Sequence, residues 1–248
     1  METIRCDGRI LAVRIRKGRT PGVLFLPGFR SDMEGTKATF LDALCGRLGR
    51  ACLRFDYRGH GRSPGRFEDF TIGGGLADAL CVLDRAADGP VVAVGSSMGG
   101  WIALLLARAR PERVAALVLI APAPDFTERL MWRVWPEAKR RELRERGVVW
   151  EPSDHEGPVP VTRTLIEDGR RHLLLEDASL PVRCPVHVLH GMRDEAVPWE
   201  LSLELAAKLE TPHVTVELVK DGDHRLSRPQ DLARLERAVV RMLEEVSP

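Results

Sequence analysis

Val91-Val92-Ala93-Val94-Gly95-Ser96-Ser97-Met98-Gly99-Gly100-Trp101-Ile102-Ala103-Leu104-Leu105-Leu106-Ala107 is the stretch that decides the fold. A β-branched run suited to a strand buried on both faces leads into Gly95-Ser96-Ser97-Met98-Gly99, and an apolar run of good helix formers leads out of it. A G-x-S-x-G turn between strand and helix holds its central serine on a tight bend. The residues two before and two after must be small, because the backbones there would otherwise collide. Ser97 has glycine at both flanking positions, whereas Ser96 reads as turn filler. The pattern also recurs by chance, and a glycine-rich turn used only for packing would satisfy it, so partners elsewhere in the chain must decide.

Working outward, strands are predicted at 10–15, 23–26, 51–56, 114–120, 186–189 and 214–219. Helical periodicity covers 37–48, 76–87 and 230–244, and a further helix begins near Pro198, with proline in its first turn. This alternation predicts an α/β fold with a mostly parallel central sheet and helices on both faces. At 248 residues the chain is read as one domain. Between about 123 and 180 the alternation stops, and the segment reads as a small lid inserted above the strand ends, loop-like at 150–158. Its Trp132 and Trp135 could line an acyl pocket or only fix the lid to the body.

A serine hydroxyl needs a base, and the imidazolium that forms needs an oriented carboxylate. Asp194 follows a late strand in Gly191-Met192-Arg193-Asp194-Glu195-Ala196-Val197-Pro198, and His224 follows the last strand. Glu195 and Asp223 compete as the acid, with Asp223 read as a loop-shaping residue. His60 belongs to a turn, His155 to the lid, and His213 precedes a strand. The oxyanion of a tetrahedral intermediate needs two preset donors. The N–H of Met98, just after the serine, is one candidate, and that of Phe29, in the loop after strand 23–26, is the other. Arg30 could anchor a substrate carboxylate or simply be solvated.

Bulk composition narrows the classes. With 37 Lys and Arg against 36 Asp and Glu, the net charge of +1 offers no field for nucleic acid or an anionic membrane. The densest basic run, around Lys139-Arg140-Arg141, is interleaved with Glu137, Glu142 and Glu145 and reads as a solvated helix face. Five scattered cysteines without C-x-x-C spacing suggest a reducing compartment and no disulfide framework. His187 and His190 would point to opposite faces of their strand, so no metal is expected. Residues 1–8 lack the apolar core of a secretory signal, and no apolar run reaches the roughly 18 residues that span a bilayer, so the expected location is cytoplasmic. Oligomeric state and acyl-chain length carry no signature in the sequence.

Leu26-Pro27-Gly28-Phe29, Arg54-Phe55-Asp56-Tyr57-Arg58-Gly59-His60-Gly61, the Ser97 turn and His190-Gly191-Met192-Arg193-Asp194 together resemble the α/β-hydrolase family, over nearly the whole chain. The order serine, acid, histidine is that family's order. Asp32-Met33-Glu34-Gly35-Thr36-Lys37-Ala38, the run from Gly191 to Trp199, and Asp223-His224-Arg225 are similar to a subgroup of mitochondrial abhydrolases that act as palmitoyl-protein thioesterases and acyl-glucuronide esterases. The resemblance implies cofactor-independent hydrolysis of thioesters or oxygen esters of small-molecule or acylated substrates, with Ser97, Asp194 and His224 in the triad positions. A peptidase or C–C bond hydrolase would use the same triad, and a ligand receptor on this fold would be non-catalytic. A dehalogenase needs a carboxylate where Ser97 stands.

Overall fold

The computed structural model describes residues 2–152 and 157–247. In chain order its strands are β1 (Glu2–Cys6), β2 (Arg9–Arg16), β3 (Arg19–Leu26), β4 (Arg50–Phe55), β5 (Val91–Ser96), β6 (Val114–Ile120), β7 (Val148–Glu151), β8 (Val159–Thr162), β9 (Val186–Gly191) and β10 (Val214–Val219). The helices are α1 (Thr36–Leu48), α2 (Ile72–Ala86), α3 (Met98–Ala109), α4 (Glu137–Arg146), α5 (Arg163–Gly169), α6 (Glu200–Lys208) and α7 (Pro229–Glu245). The main sheet runs β1-β2-β4-β3-β5-β6-β9-β10. Only β2, antiparallel to both β1 and β4, departs from parallel pairing, so the mostly parallel sheet expected from the sequence is present. Strand β1 was not expected. Its signal is Asp7-Gly8, whose φ values of 49° and 75° close a two-residue hairpin.

Period-two alternation divides the buried strands between two cores. Val91 and Ala93 of β5 pack with Val82 of α2 and Trp101 of α3, while Val92 and Val94 pack with Leu41 of α1 and Val239 of α7. Helix α7 buries Leu235, Ala238, Val239 and Met242, a helical stripe in which each large aliphatic side chain contributes about 1.5–3 kcal/mol. Proline at its first position and the Asp231 carboxylate on the Arg228 N–H (3.1 Å) fix where it starts. Helix α3 is buried on nearly every side, in keeping with its continuous apolar sequence.

The segment between β6 and β9 rises from the C-terminal edge of the sheet and holds a π-helical turn (Thr127–Trp132), α4, the β7–β8 ribbon and α5. The loop expected at 150–158 is corrected only at its start: Trp150 and Glu151 belong to β7, which pairs antiparallel with β8, whereas Pro152, Gly157 and Pro158 lie outside the strands and 153–156 outside the described residues. Val149 and Val161 turn inward and Trp150 outward, a strand alternation hidden in the sequence by Pro152, Pro158 and Pro160. Asp125 ties the insert down by accepting the N–H groups of Leu174 and Leu175, both at 2.8 Å. Arg129 pairs bidentately with Glu204 of α6 at 2.8 and 2.9 Å. The cysteines also differ from expectation: Cys6 and Cys81 form a disulfide between β1 and α2, with Cα atoms 6.1 Å apart, while Cys45, Cys52 and Cys184 are free. Among the described residues no helix is long and apolar enough to cross a membrane.

Candidate active site

Ser97 sits where β5 becomes α3, at φ 55° and ψ −118°, a conformation costing about 1–3 kcal/mol that the surroundings must enforce. Its N–H donates to the Ile120 carbonyl at 2.9 Å, and its carbonyl accepts from Gly100 and Ala123 at 2.9 and 3.1 Å. The two glycines of the motif are steric requirements. A Cβ on Gly95 would lie 2.7 Å from the Gly100 Cα, and one on Gly99 would strike the Leu26 carbonyl oxygen and lie 2.6 Å from that of Pro27.

Three chain segments converge on this turn. His224, in the turn after β10, places Nε2 3.1 Å from Ser97 Oγ and Nδ1 2.7 Å from Asp194 Oδ2. Nδ1 facing a carboxylate is the protonated nitrogen, which leaves Nε2 to accept from the serine hydroxyl. Asp194, in the turn after β9, also accepts the N–H groups of Ala196 and Val197 on Oδ1, at 2.9 and 2.8 Å. Burial pushes its carboxyl upward, but hydrogen bonds from His190 and His224, the imidazole charge and the Val197 N–H outweigh burial and hold it well below the usual carboxylate range. The Arg193 N–H donates to the Gly222 carbonyl at 2.8 Å and joins the two turns.

Among the described residues the competing groups make no hydrogen bond to Ser97 or His224. Glu195 is exposed, and Asp223 accepts the Leu226 N–H at 2.9 Å, the loop-shaping role expected of it. His60 is buried among Tyr57, Phe67 and Phe70, and His213 is exposed. His155 lies outside the described residues. The other two histidines of the sheet, His187 and His190, are both buried. Among the described residues no group of three or more His, Cys, Asp or Glu could hold a metal ion.

Ser97 opens on two clefts. One, of about 250 Å³, is walled by Phe29, Phe126, Leu130, Met131, Val159 and Val161, with Met98 and His224 at Ser97. The other, of about 890 Å³, is more polar and includes Lys37, Arg193 and Arg225. Partial burial of Lys37 pushes its ammonium down to about 8, and its Nζ donates to the carbonyl of Arg225 beside His224. Met98 is the first residue of α3, so its N–H is one of the helix's unpaired first-turn donors. Gly28, just before Phe29, is so close that a Cβ there would lie 3.5 Å from Ser97 Cβ, which brings the loop carrying the Phe29 N–H to the serine.

The tryptophans require a correction. Neither Trp132 nor Trp135 lines the cleft. The Trp132 ring is stacked with Arg170, Arg144 and Arg140 at 4.6, 5.7 and 5.9 Å, and Trp135 is buried beneath Lys139. Both rings face α4 and hold the insert to itself. The cleft is lined instead by Leu130 and Met131, from the same turn, and by the ribbon valines. Arg30 does border the cleft, and its Nη1 donates to the carbonyls of Gly157 and Pro158 at 2.9 and 3.3 Å, fastening the ribbon tip to the loop after β3.

Known proteins share this fold and much of this sequence. A family model described as the α/β-hydrolase family matches residues 23–235. Palmitoyl-protein thioesterase ABHD10, mitochondrial, from Mus musculus is 40% identical over 239 residues, which cover 96% of this chain and 80% of that protein. The Homo sapiens protein of the same name is also 40% identical, over 96% of this chain and 78% of its own length. The solved structure of α/β-hydrolase domain-containing protein 10 from mouse superposes with a TM-score of 0.93 at 38% identity, covering 99% of both chains. Fold and sequence agree that this chain belongs to the α/β-hydrolase family.

Proposed function

We propose that this protein is a serine hydrolase of carboxylic thioesters and oxygen esters that works through an acyl-enzyme. The observation that carries the reading is the hydrogen-bonded line from Ser97 Oγ through His224 to Asp194, set in the wall of an apolar cleft. His224 Nε2 takes the hydroxyl proton as Ser97 Oγ bonds to the acyl carbon, and the carbonyl electron pair moves onto oxygen. The N–H groups of Phe29 and Met98 hold that oxyanion, each contributing about 2.7–4 kcal/mol to the barrier reduction. As the carbonyl re-forms, the C–S or C–O bond breaks and the leaving thiol or alcohol takes the proton from His224. Water then repeats the sequence, giving its proton to His224 and releasing the carboxylic acid and free Ser97.

The apolar cleft takes the acyl group and the polar cleft the leaving group. A volume of about 250 Å³ falls just below that of most small-ligand sites, which run about 300–1,000 Å³, so short and medium acyl chains are preferred. The name of the relatives, palmitoyl-protein thioesterase, supports thioesters as the class of bond. The insert acts as a lid, with its ribbon valines over the acyl cleft and Arg30 as the clasp.

Hydrolysis of p-nitrophenyl esters and acyl thioesters from two to sixteen carbons by wild type and Ser97→Ala tests this reading. Ser97-dependent turnover that peaks at short or medium chains is expected. Equal turnover by the alanine variant would overturn it.

A further inference from the structure

The Asp194 carboxylate is held by two histidines. His224 donates to Oδ2 from the solvent side, and His190, the next-to-last residue of β9, approaches the same oxygen from inside the protein with Nε2 at 3.1 Å. The His190 Nε2 is also 3.0 Å from the Val197 carbonyl, and its Nδ1 is 2.6 Å from Ser202 Oγ on α6. His190, Ser202 and the Asp194 side chain are all 0% exposed.

The partners settle which nitrogen carries a proton. Nε2 faces only acceptors, a carboxylate and a carbonyl, so it is N–H in either protonation state of the ring. Nδ1 faces a hydroxyl, which fixes the ring's rotation about its own axis. His190 is therefore an oriented, buried donor aimed at the oxygen that His224 uses. A buried carboxylate bears its charge only when its lone pairs are occupied. Here Oδ1 is satisfied by two backbone N–H groups and Oδ2 by two imidazoles.

We infer that His190 is a positioning residue for the proposed hydrolysis, keeping Asp194 anionic and turned toward His224. The inference rests on the acyl-enzyme reading above. Without the His190 donor the Asp194 negative charge falls more fully on His224, which becomes more basic, and the carboxylate is less firmly oriented. The titratable groups facing this ring are Asp194 from the turn after β9 and, through it, His224 from the turn after β10. Helix α6 presents the uncharged Ser202.

His190→Leu and His190→Gln test the assignment, the glutamine amide being able to donate where Nε2 does. The readouts are kcat, KM and the pH dependence of kcat/KM with a p-nitrophenyl ester, the rate of Ser97 labelling by a fluorophosphonate, and Tm to confirm folding. His190→Leu is expected to lower kcat and the labelling rate about 10- to 100-fold, the rate equivalent of one charge-assisted hydrogen bond, with little change in KM. Its acidic limb is expected to move to higher pH, and His190→Gln should recover most of both losses. If wild type labels at Ser97 and folded His190→Leu matches it in rate and acidic limb, His190 has no such role. The role also fails if folded His190→Gln is as impaired as His190→Leu. A wild type that neither labels nor turns over would instead overturn the hydrolase reading itself.

Discussion

Ser97 Oγ and His224 Nε2 lie 3.1 Å apart although 127 residues separate them in the chain. In the sheet, β6 and β9 stand between β5, which carries the serine, and β10, which carries the histidine. At about 4.8 Å per strand, His224 must reach back roughly 14 Å. The turn after β10 spans that distance and is braced by the Asp223 carboxylate on the Leu226 N–H and by the Arg193 N–H on the Gly222 carbonyl. The candidate site is therefore a property of the whole sheet edge, and its function depends on small tolerances in three separate turns.

Gly99→Ala tests the tightest of these tolerances. The added methyl would drive into the carbonyls of Leu26 and Pro27, backbone atoms that cannot rotate away. The variant is expected to lose about 1–3 kcal/mol in denaturant unfolding and at least tenfold in kcat/KM, because the loop bearing the Phe29 N–H must retreat from Ser97. Wild-type stability and activity would show that the elbow and the loop are not packed as described.

Acyl preference separates the cleft residues from the tryptophans. Met131→Ala enlarges the apolar cleft and should raise kcat/KM for longer esters relative to butyrate by roughly tenfold, the scale of one or two methylenes in a hydrophobic pocket. Trp132→Ala should leave that ratio unchanged, since its ring lies against Arg170, Arg144 and Arg140. A chain-length profile that shifts with Trp132 and not with Met131 would reverse the assignment.

His60 links acid sensitivity to one buried ring. Burial, opposed by a weak bond to the Arg58 carbonyl, pushes its imidazole down to about 4 from the ordinary 6.5. Between those values the unfolded chain binds a proton that the folded one does not, so stability is full above pH 6.5 and falls as pH drops toward 4. The loss from this group is up to about 3 kcal/mol. Phenylalanine suits a site where His60 already packs against Phe67 and Phe70, both with centroids 4.8 Å away. His60→Phe should flatten unfolding free energy against pH in that window, and an unaltered slope would show that another group titrates there.

The sequence made legible what depends on local pattern. The buried run 91–94, the glycines around Ser97 and the positions of Asp194 and His224 after late strands were enough to expect the sheet and to choose the residues that meet. What it concealed depends on three-dimensional direction. Trp132 and Met131 are adjacent in the chain, yet on a π-helical turn one ring turns to the arginines and the other side chain into the cleft. His190 read as a strand histidine facing away from His187. Only the turn in His190-Gly191-Met192-Arg193-Asp194, which folds the fifth residue back onto the first, reveals it as a partner of the acid. The β7–β8 ribbon was obscured by its prolines, and Cys6 and Cys81 are 75 residues apart with no spacing motif to join them.

The most direct measurement is rapid-quench mass spectrometry of the intact protein with a p-nitrophenyl ester, followed by peptide mapping. An acyl adduct on the peptide containing Ser97, formed as p-nitrophenol is released and absent in Ser97→Ala, is the expected result. Turnover that continues in Ser97→Ala, or an adduct that maps to another residue, would contradict the acyl-enzyme at Ser97.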